Sequence, residues 1–444
     1  MKRSNKIDIN TKEYWGKVWR DWGQQEKFTR FNMVIDMIPN GSLVLDVGSA
    51  TGTFSRLLKK NKPSCKIVGI DISEDGIRMA REVAPEIPYY WCDVKQGIPF
   101  KGNFFDVVVA QEIIEHMESP RWLISECSRV LKNDGVFIGS VPNEHFCHSP
   151  EHNWEFTKEE YVQLLSNYFL DNETKFWSHA GNPKVSIISK SKNKKSKDNL
   201  RIAFCGARWL GIECLKELLS YNLNVVAADI PRRTEKVWWN DVKDEDFVDL
   251  MGIPKISFKD IKDLNLDLCF SILYAPIFKK EQIENCKYGV INLHPAPLPF
   301  YRGCNSYSHA IENNELLYGV TLHYVNEKID EGPIIKRDDV EIREADTAED
   351  LYNRAQVAAL NMFKRELPNI IHCARNKNKV KSIIQSNEHA KYYKRDSLKN
   401  KNADLKLDDP SFNRFVRSRE FKYFEKAYIM LKNKKYFLLT KSNI

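Results

Sequence analysis

The segment between Gly289 and Gly303, GVINLHPAPLPFYRG, combines an apolar run with polar side chains that can do chemistry. The apolar residues predict a buried strand. Asn292 and His294 end it, and because they are two residues apart they face the same side. The prolines that follow predict a rigid, extended turn. An amide and an imidazole on one face predict a site that stabilises an oxyanion.

A carboxylate completes this candidate site further along the chain. Asp330 lies in a predicted turn before Gly332, within GVTLHYVNEKIDEGPII. Moving an acyl group between amines requires oxyanion stabilisation by the amide and protonated imidazole, and proton transfer by the imidazole or carboxylate. Each residue alone is typical of an ordinary strand end, a core histidine or a surface aspartate. The set favours a catalytic triad of Asn292, His294 and Asp330.

The motif N-L-H-P-A-P-L-P-F-Y-R-G, followed by Asp330 36 residues after His294, resembles the corresponding motif of the formyltransferases that use 10-formyltetrahydrofolate. The resemblance covers about residues 200–436 and implies 10-formyltetrahydrofolate as cofactor. It also implies that Tyr274 and Ile277 help form the pterin pocket, although ordinary core packing explains each of them equally well. The family includes glycinamide ribonucleotide transformylase, methionyl-tRNA formyltransferase and the sugar-nucleotide N-formyltransferases.

The C-terminal tail bears on the choice among these enzymes. It resembles the tail of sugar N-formyltransferases, in the YYKR motif at residues 392–395 and in the later run EKAYIMLKNKKYFL. The diproline that those enzymes carry before the last strand is replaced by FKYF, so the match is weaker there. The resemblance implies the amino group of a nucleotide-linked amino-deoxysugar as acceptor. The methionyl-tRNA and glycinamide ribonucleotide activities stay as alternatives.

The N-terminal half contains a separate strand, turn and helix pattern, LVLDVGSATGTF. A predicted strand ends in Asp46, Gly48 and Gly52 form the turn, and the next strand ends in Asp71. Glycines let a ligand approach the backbone, and the helix N-terminus favours polar groups. An acidic residue at the second strand end holds ribose hydroxyls in nucleotide sites. The dinucleotide fingerprint G-x-G-x-x-G is absent, which argues against a nicotinamide-binding domain.

Strands and helices continue to alternate after this turn, which indicates a parallel sheet. Residues 40–145 resemble the class I S-adenosylmethionine-dependent methyltransferases. The resemblance implies S-adenosylmethionine as cofactor, with a binding site formed by Asp46, Gly48, Gly52, Asp71, Asp93 and Gln111. It implies that Gly48 and Gly52 contact the methionine part, that Asp71 holds the ribose and Asp93 the adenine, and that Gln111 lies beside the departing methyl group. A degenerate methyltransferase half that serves only as a binding module is the alternative.

Several histidines follow in the same half. His116 in IIEHM is either a general base or a structural histidine. His145, His148 and His152 cluster with Glu151, a composition that admits a metal site. We favour an acceptor-binding or surface loop, because carboxylates at ligand spacing are lacking, and we expect no metal site.

The fold class predicted is α/β, with two Rossmann-like parallel-sheet domains in tandem and a small α+β tail that ends in a strand hairpin. The polar segment 190–199 is too poor in apolar residues to build a core and predicts a linker. The expected boundaries are therefore a methyltransferase domain at 1–189, the linker, a formyltransferase domain at 200–375 and a C-terminal extension at 376–444.

Composition bounds the partners. The 444 residues are 42% hydrophobic and 29% charged, and no apolar run is long enough for a membrane helix. Ten scattered cysteines without a C-x-x-C pair argue against a disulfide framework or zinc cluster. We therefore expect a cytoplasmic enzyme with no membrane partner. The net charge of +8 suits anionic small substrates, whereas a nucleic-acid partner is disfavoured and a homodimer is left open.

Overall fold

A computed structural model of the chain divides into two compact units. The first comprises Met1–Asn199, Lys216–Leu223 and Asp246–Ile253, and the second comprises Leu200–Leu215, Asn224–Glu245 and Pro254–Ile444. The residues that the structure describes are 2–3, 11–22, 29–145, 149, 151–179, 182–193, 199–230, 244–398, 402–403, 409–421, 426–431 and 434–440.

The N-terminal part of the chain alternates strands and helices. Its strands are β1 (Lys2–Arg3), β2 (Leu43–Val47), β3 (Lys66–Asp71), β4 (Tyr89–Trp91), β5 (Phe105–Gln111), β6 (Leu131–Pro142), β7 (Trp154–Glu155), β8 (Phe169–His179) and β9 (Asn182–Asn193). Its helices are α1 (Lys12–Trp22), α2 (Thr29–Met37), α3 (Thr53–Asn61), α4 (Glu74–Val83), α5 (Pro120–Val130) and α6 (Lys158–Leu165).

One sheet organises the first unit, in the order β4-β3-β2-β5-β6-β9-β8. The strands from β4 to β6 run parallel, and β9 pairs antiparallel with both β6 and β8. The order reverses between β2 and β5, because the chain passes outward to β3 and β4 before it returns. Such a reversal opens a crevice at the carboxyl ends of the strands, where open α/β sheets bind their ligands.

Both faces of this sheet are buried, as its apolar strands predict. Leu45 and Val108 belong to one core cluster, whereas their neighbours Val44 and Val107 belong to a second cluster. Alternate residues of a strand point to opposite faces, so the two clusters are the two faces of one sheet. This double burial holds the strand ends rigidly in place.

The C-terminal part of the chain begins again with a strand. Its strands are β10 (Arg201–Gly206), β11 (Asn224–Asp229), β12 (Leu268–Ile272), β13 (Val290–His294), β14 (Arg302–Gly303), β15 (Leu317–Tyr324), β16 (Ile334–Glu341), β17 (Tyr392–Tyr393), β18 (Tyr428–Leu431) and β19 (Lys434–Phe437). Its helices are α7 (Arg208–Ser220), α8 (Asp244–Leu250), α9 (Lys280–Glu284), α10 (Ser306–Glu312), α11 (Ala348–Arg375) and α12 (Asp409–Ser418).

The main sheet of the second unit has the order β11-β10-β12-β13-β15-β16. The strands from β11 to β13 are parallel, and β15 and β16 are antiparallel additions. Short pairs complete the unit: β14 runs parallel to β17, and β18 and β19 form an antiparallel hairpin. That hairpin confirms the strand pair predicted for the end of the tail.

The predicted fold class is confirmed, with one refinement. Each sheet is parallel only in part, because antiparallel strands extend one side of it. The segment predicted as a linker also starts later than expected, since β9 runs to Asn193 and buries Ser191 and Asn193. Residues 194–198 lie outside the described part of the chain. Among the described helices, none is both long and apolar enough to cross a membrane.

Candidate active sites

A glycine turn connects β2 to α3 at the carboxyl edge of the first sheet. Gly48 and Gly52 have φ of +77° and +78°, a left-handed conformation that favours glycine. The Gly48 N–H donates to the Ile70 carbonyl at 2.9 Å, which holds the turn against β3. A side chain on Gly48 would begin 3.0 Å from Ile113. The turn therefore keeps backbone, and not side chains, at the mouth of the crevice.

A cavity opens at this crevice, the place where open α/β sheets bind small molecules. Three of the predicted cofactor-binding residues line it, each at a strand end: Gly48 after β2, Asp71 at the end of β3 and Gln111 at the end of β5. The other lining residues are Trp15, Ile70, Ile72, Cys92, Val94, Glu112, Ile113 and His116.

Asp71 is fixed in place by backbone donors. Its Oδ2 accepts from the Ala50 N–H at 2.9 Å and its Oδ1 accepts from the Ser73 N–H at 2.8 Å. Burial raises the pKa of the Asp71 carboxyl, and these N–H groups oppose the shift. Each carboxylate oxygen has a second lone pair for a hydroxyl donor. A ribose diol therefore fits this position, and the cavity as a whole suits an S-adenosylmethionine-type ligand.

Three other predicted cofactor residues do not line the cavity. Asp46 lies behind the turn, where it accepts from the Ser55 hydroxyl at 2.7 Å and burial raises its pKa to about 7. Gly52 precedes α3, and a side chain there would meet the Tyr89 hydroxyl at 2.6 Å. Asp93 accepts from the Lys95 N–H at 3.0 Å and caps a short 3-10 turn. Its two neighbours in sequence, and not Asp93 itself, face the cavity.

The histidines of this half have different surroundings. His116 lies on the cavity wall, and its ring meets that of His152, with centroids 5.2 Å apart. His152 is buried, whereas the His145 side chain is 67% exposed. His148 lies outside the described residues. Among the described residues, His152 pairs with His116.

In the second unit, Asn292 and His294 lie at the carboxyl end of β13, on one face as predicted. The antiparallel neighbour β15 places His323 opposite Asn292 and Thr321 opposite His294. Asp330 follows β15 in a turn with φ of +55°. The strand end and the turn together bring the three predicted catalytic side chains to one place.

Asp330 lies between two imidazoles. Its Oδ2 is 3.7 Å from His294 Nε2, and its Oδ1 is 3.8 Å from His323 Nε2. The Gly303 N–H donates to Oδ2 at 2.9 Å and orients the carboxylate. His294 Nε2–H donates to the Tyr301 carbonyl at 3.1 Å, so the Asp330 contact is an ion-pair distance and not a hydrogen bond. The side chains of His294 and Asp330 are each only 12% exposed.

His323 is a fourth member that sequence reasoning missed. Its Nδ1–H donates to the Tyr324 carbonyl at 2.7 Å, so Nε2 is left to accept from the Asn292 amide at 3.0 Å. Burial lowers the pKa of His323 to about 4, and the ring is therefore neutral near pH 7. The signal was a histidine within the apolar strand VTLHYV. Its role is to fix the orientation of the Asn292 amide.

The two residues predicted for the pterin pocket follow β12, the strand next to β13. Tyr274 donates its hydroxyl to Asp229 Oδ2, and burial raises the pKa of this tyrosine. Ile277 is 55% exposed, an unusual state for isoleucine. An exposed apolar side chain beside a strand end is compatible with contact to an aromatic ligand.

Two protein-family models match regions of the chain that include these two sites. A methyltransferase domain model matches residues 45–139, and a formyl transferase model matches residues 254–367. The chain carries two transferase domains. These two domain types imply donors of the S-adenosylmethionine and formyl-tetrahydrofolate types.

Among curated proteins, the chain is 30% identical over 194 residues to the bifunctional polymyxin resistance protein ArnA of Wigglesworthia glossinidia brevipalpis, an alignment that covers 42% of this chain and 29% of ArnA. It is also 30% identical over 162 residues to the methionyl-tRNA formyltransferase of Borrelia garinii subsp. bavariensis, covering 34% of this chain and 51% of that enzyme. The chain thus spans about half or less of the length of these relatives.

A solved structure with a similar formyltransferase domain is the N-formyltransferase of Helicobacter canadensis, crystallised with folinic acid and dTDP-3-aminofucose. The identity is 23%, the TM-score is 0.46, and the alignment covers 53% of this chain and 86% of that chain.

Proposed function

We propose that the formyltransferase domain transfers a formyl group from 10-formyltetrahydrofolate to the amino group of a nucleotide-linked amino-deoxysugar in the cytoplasm. We further propose that the methyltransferase domain uses S-adenosylmethionine in the same surface-glycan pathway. The observation that carries the choice of acceptor is the position of the YYKR motif beside the catalytic triad.

The YYKR motif supplies β17, which pairs with β14 immediately after the catalytic segment. Within β14, Gly303 donates its N–H to Asp330, so the tail lies one strand away from a catalytic carboxylate. Tyr393 stacks on His309 and on Tyr301, with centroids 4.2 and 5.3 Å apart. A tail that resembles those of sugar N-formyltransferases therefore borders the site where an acceptor amine must enter.

The triad supplies charge stabilisation and a proton path. When bound, 10-formyltetrahydrofolate would supply the formyl carbon that the neutral acceptor amine attacks, and the bond between that carbon and N10 would break as N10 takes up a proton. Asn292 donates an amide N–H to the negative charge that develops on the formyl oxygen, and protonated His294 donates a second hydrogen bond. Asp330 stabilises the imidazolium and accepts the amine proton, through water where the distance requires it. Loss of one oxyanion donor costs about 3 kcal/mol in the barrier.

In the methyltransferase domain, alignment is the main requirement. S-adenosylmethionine, when bound, supplies a methyl group on a sulfonium that is already activated. Asp71 holds the ribose hydroxyls, the glycine turn at Gly48 leaves room for the methionine part, and Gln111 borders the acceptor side. Alignment of this kind supplies a large share of a barrier reduction without a dedicated base.

A second candidate is formylation of methionyl-tRNA, favoured by the 30% identity to the Borrelia enzyme over 162 residues. The two candidates differ in their dependence on salt. A tRNA partner contacts many phosphates, so its affinity falls steeply with salt, whereas a sugar nucleotide carries only a diphosphate.

The test is a mass-spectrometric screen of amino-sugar nucleotides and of methionyl-tRNA with both donors present. Gain of one formyl group on an amino-sugar nucleotide, abolished in His294→Ala, is the expected result. Formylation of methionyl-tRNA alone would replace the proposal with the second candidate. Failure of the intact chain to bind S-adenosylmethionine in calorimetry would identify the N-terminal half as a binding module without methyl transfer.

A further inference from the structure

Three potential metal ligands meet at the edge of the methyltransferase cavity. Glu115 and His116 lie in a 3-10 turn just after β5, and His152 lies in the segment before β7. One ligand atom from each lies within 4.8 Å of the other two. The three residues are 1%, 7% and 8% exposed, so the cluster is an interior feature and not a chance grouping on the surface.

Glu115 is the most unusual of the three. Within the part of the chain that the structure describes, neither of its carboxylate oxygens has a hydrogen-bond partner, although both are buried. The closest basic atom is His116 Nε2, at 3.6 Å from Oε1. A buried carboxylate without donors is costly, and a bound cation removes that cost.

His116 is arranged as a ligand. Its Nδ1 lies 2.9 Å from the Glu151 carbonyl, to which it donates its proton. Nε2 then carries the lone pair on the side of Glu115. Metal-binding histidines commonly donate their other ring N–H to a backbone carbonyl in this way.

Backbone contacts hold the two segments of the cluster together. Asn153 donates its N–H to the Glu115 carbonyl at 2.8 Å and its side-chain amide to the His116 carbonyl at 2.6 Å. The Trp154 indole donates to the Met117 carbonyl at 2.8 Å. His152 is therefore carried on a segment that is anchored on both residues that follow it, and its position beside His116 is fixed.

We propose that Glu115, His116 and His152 form a binding site for one divalent transition-metal ion at the edge of the methyltransferase cavity. Two imidazoles and one carboxylate suit Zn²⁺, Co²⁺ or Fe²⁺, whereas Mg²⁺ and Ca²⁺ prefer oxygen ligands. Three protein ligands leave coordination positions for a substrate atom, as in catalytic metal sites. The binding site itself does not depend on the proposed methyl transfer.

The role of this metal site in catalysis does rest on the methyl transfer proposed above. His116 lines the cavity with Asp71 and Gln111, so a bound ion can take a hydroxyl oxygen of the acceptor as a further ligand. Coordination lowers the pKa of the hydroxyl, and its proton passes to water. The oxygen–methyl bond then forms as the sulfur–methyl bond of the sulfonium breaks, and the electron pair of that bond stays on sulfur as a thioether.

The test uses the full-length chain, stripped with a chelator and titrated with Zn²⁺ in a calorimeter and with Co²⁺ in a spectrophotometer. One site per chain is expected, without the thiolate absorption that cysteine ligands would give. His116→Ala and His152→Ala should each weaken Zn²⁺ binding by more than about 100-fold, because changes to residues around the ligands already lower metal affinity by about 10- to 100-fold. The matched control, His145→Ala, replaces an exposed histidine of the same unit and should leave it unchanged.

Equal Zn²⁺ affinity of the wild type, His116→Ala and His152→Ala would overturn the proposal, as would absence of a stoichiometric site. Circular dichroism and S-adenosylmethionine binding show whether each variant is folded, and Glu115→Gln, which keeps the shape of the side chain, provides a third variant. A metal site in a chain that transfers no methyl group would support the site and refute methyl transfer. Full methyl transfer by the metal-free chain would overturn the role in acceptor binding.

Discussion

Replacing His323 with leucine removes the acceptor that orients the Asn292 amide and leaves all three residues of the triad in the chain. The hydrogen bond from Asn292 Nδ2 to His323 Nε2 is 3.0 Å long and joins two neutral groups. Its loss alone therefore removes about 1 kcal/mol of the free energy that holds the amide in its orientation. Complete loss of Asn292 as an oxyanion donor costs about 3 kcal/mol. These limits correspond to roughly a 5-fold and a more than 100-fold fall in kcat.

The assay is the initial rate of formyl transfer from 10-formyltetrahydrofolate to the acceptor identified by the mass-spectrometric screen. We expect His323→Leu to lower kcat within those limits and to leave KM for the donor nearly unchanged, because the oxyanion exists only in the transition state. His323→Gln should recover part of the rate, since its amide oxygen can accept from Asn292. His389→Leu, at an exposed histidine of the second unit, is the matched control.

A double variant tests the reasoning further. If His323 acts through Asn292, then Asn292→Ala combined with His323→Leu should be no slower than Asn292→Ala alone. Additive losses would mean that His323 acts on the reaction independently. A His323→Leu variant with the kcat of the wild type would refute the positioning role altogether.

The remaining predictions concern binding, acid stability and the tail. Asp71→Ala should weaken S-adenosylmethionine binding by about 10- to 100-fold in calorimetry, the loss expected for hydrogen bonds to a charged group, and should leave formyl transfer unaffected. The control variant Glu82→Ala should bind S-adenosylmethionine as the wild type does. Unchanged affinity of Asp71→Ala would exclude Asp71 from the site. The folded-state pKa of His323, about 4, lies below its ordinary value of 6.5, so the unfolded chain binds more protons and stability should fall by about 3 kcal/mol as the pH drops from 6.5 to 4. Urea unfolding of the wild type and His323→Gln should therefore diverge across this window, and parallel curves would contradict the prediction. Gly303→Ala would place a methyl group 2.3 Å from the Tyr393 carbonyl oxygen, at a residue with a φ of +90°. The change should therefore disrupt the β14–β17 pair and raise KM for the acceptor more than KM for the donor. An unchanged acceptor KM would exclude the tail from acceptor binding.

That Asn292 and His294 lie together could be predicted from the sequence, because two residues that are two apart in one strand share a face. Asp330 could be grouped with them only through the family resemblance, because it reaches them through the pairing of β15 with β13. His323 could not be predicted in the same way, because its role depends on the antiparallel register that sets it opposite Asn292. Register is fixed by the whole sheet and not by residues near His323 in sequence.

The methyltransferase cavity shows a related limit. Gly48, Asp71 and Gln111 were predicted as polar or small residues at strand ends, and all three line the cavity. Asp46 and Asp93 fit the same rule but do not line the cavity. Asp46 accepts a hydrogen bond from the Ser55 hydroxyl, and Asp93 accepts one from the Lys95 N–H and caps a turn. The residue type predicts that a strand end is polar. The direction of each side chain depends on which hydrogen-bond donor lies within reach of it in the folded chain.

The two domains place different chemical demands on similar sheet edges, and their side chains differ accordingly. Formyl transfer creates a negative charge, and its candidate site concentrates an amide, two imidazoles and a carboxylate at the end of β13. Methyl transfer from a sulfonium creates no such charge, and a good nucleophile needs only alignment. Glu115, His116 and His152 therefore exceed what alignment alone requires. Their presence beside the cavity is explained if the acceptor is a weak nucleophile such as a sugar hydroxyl, whose oxygen must be made more acidic before it can accept a methyl group.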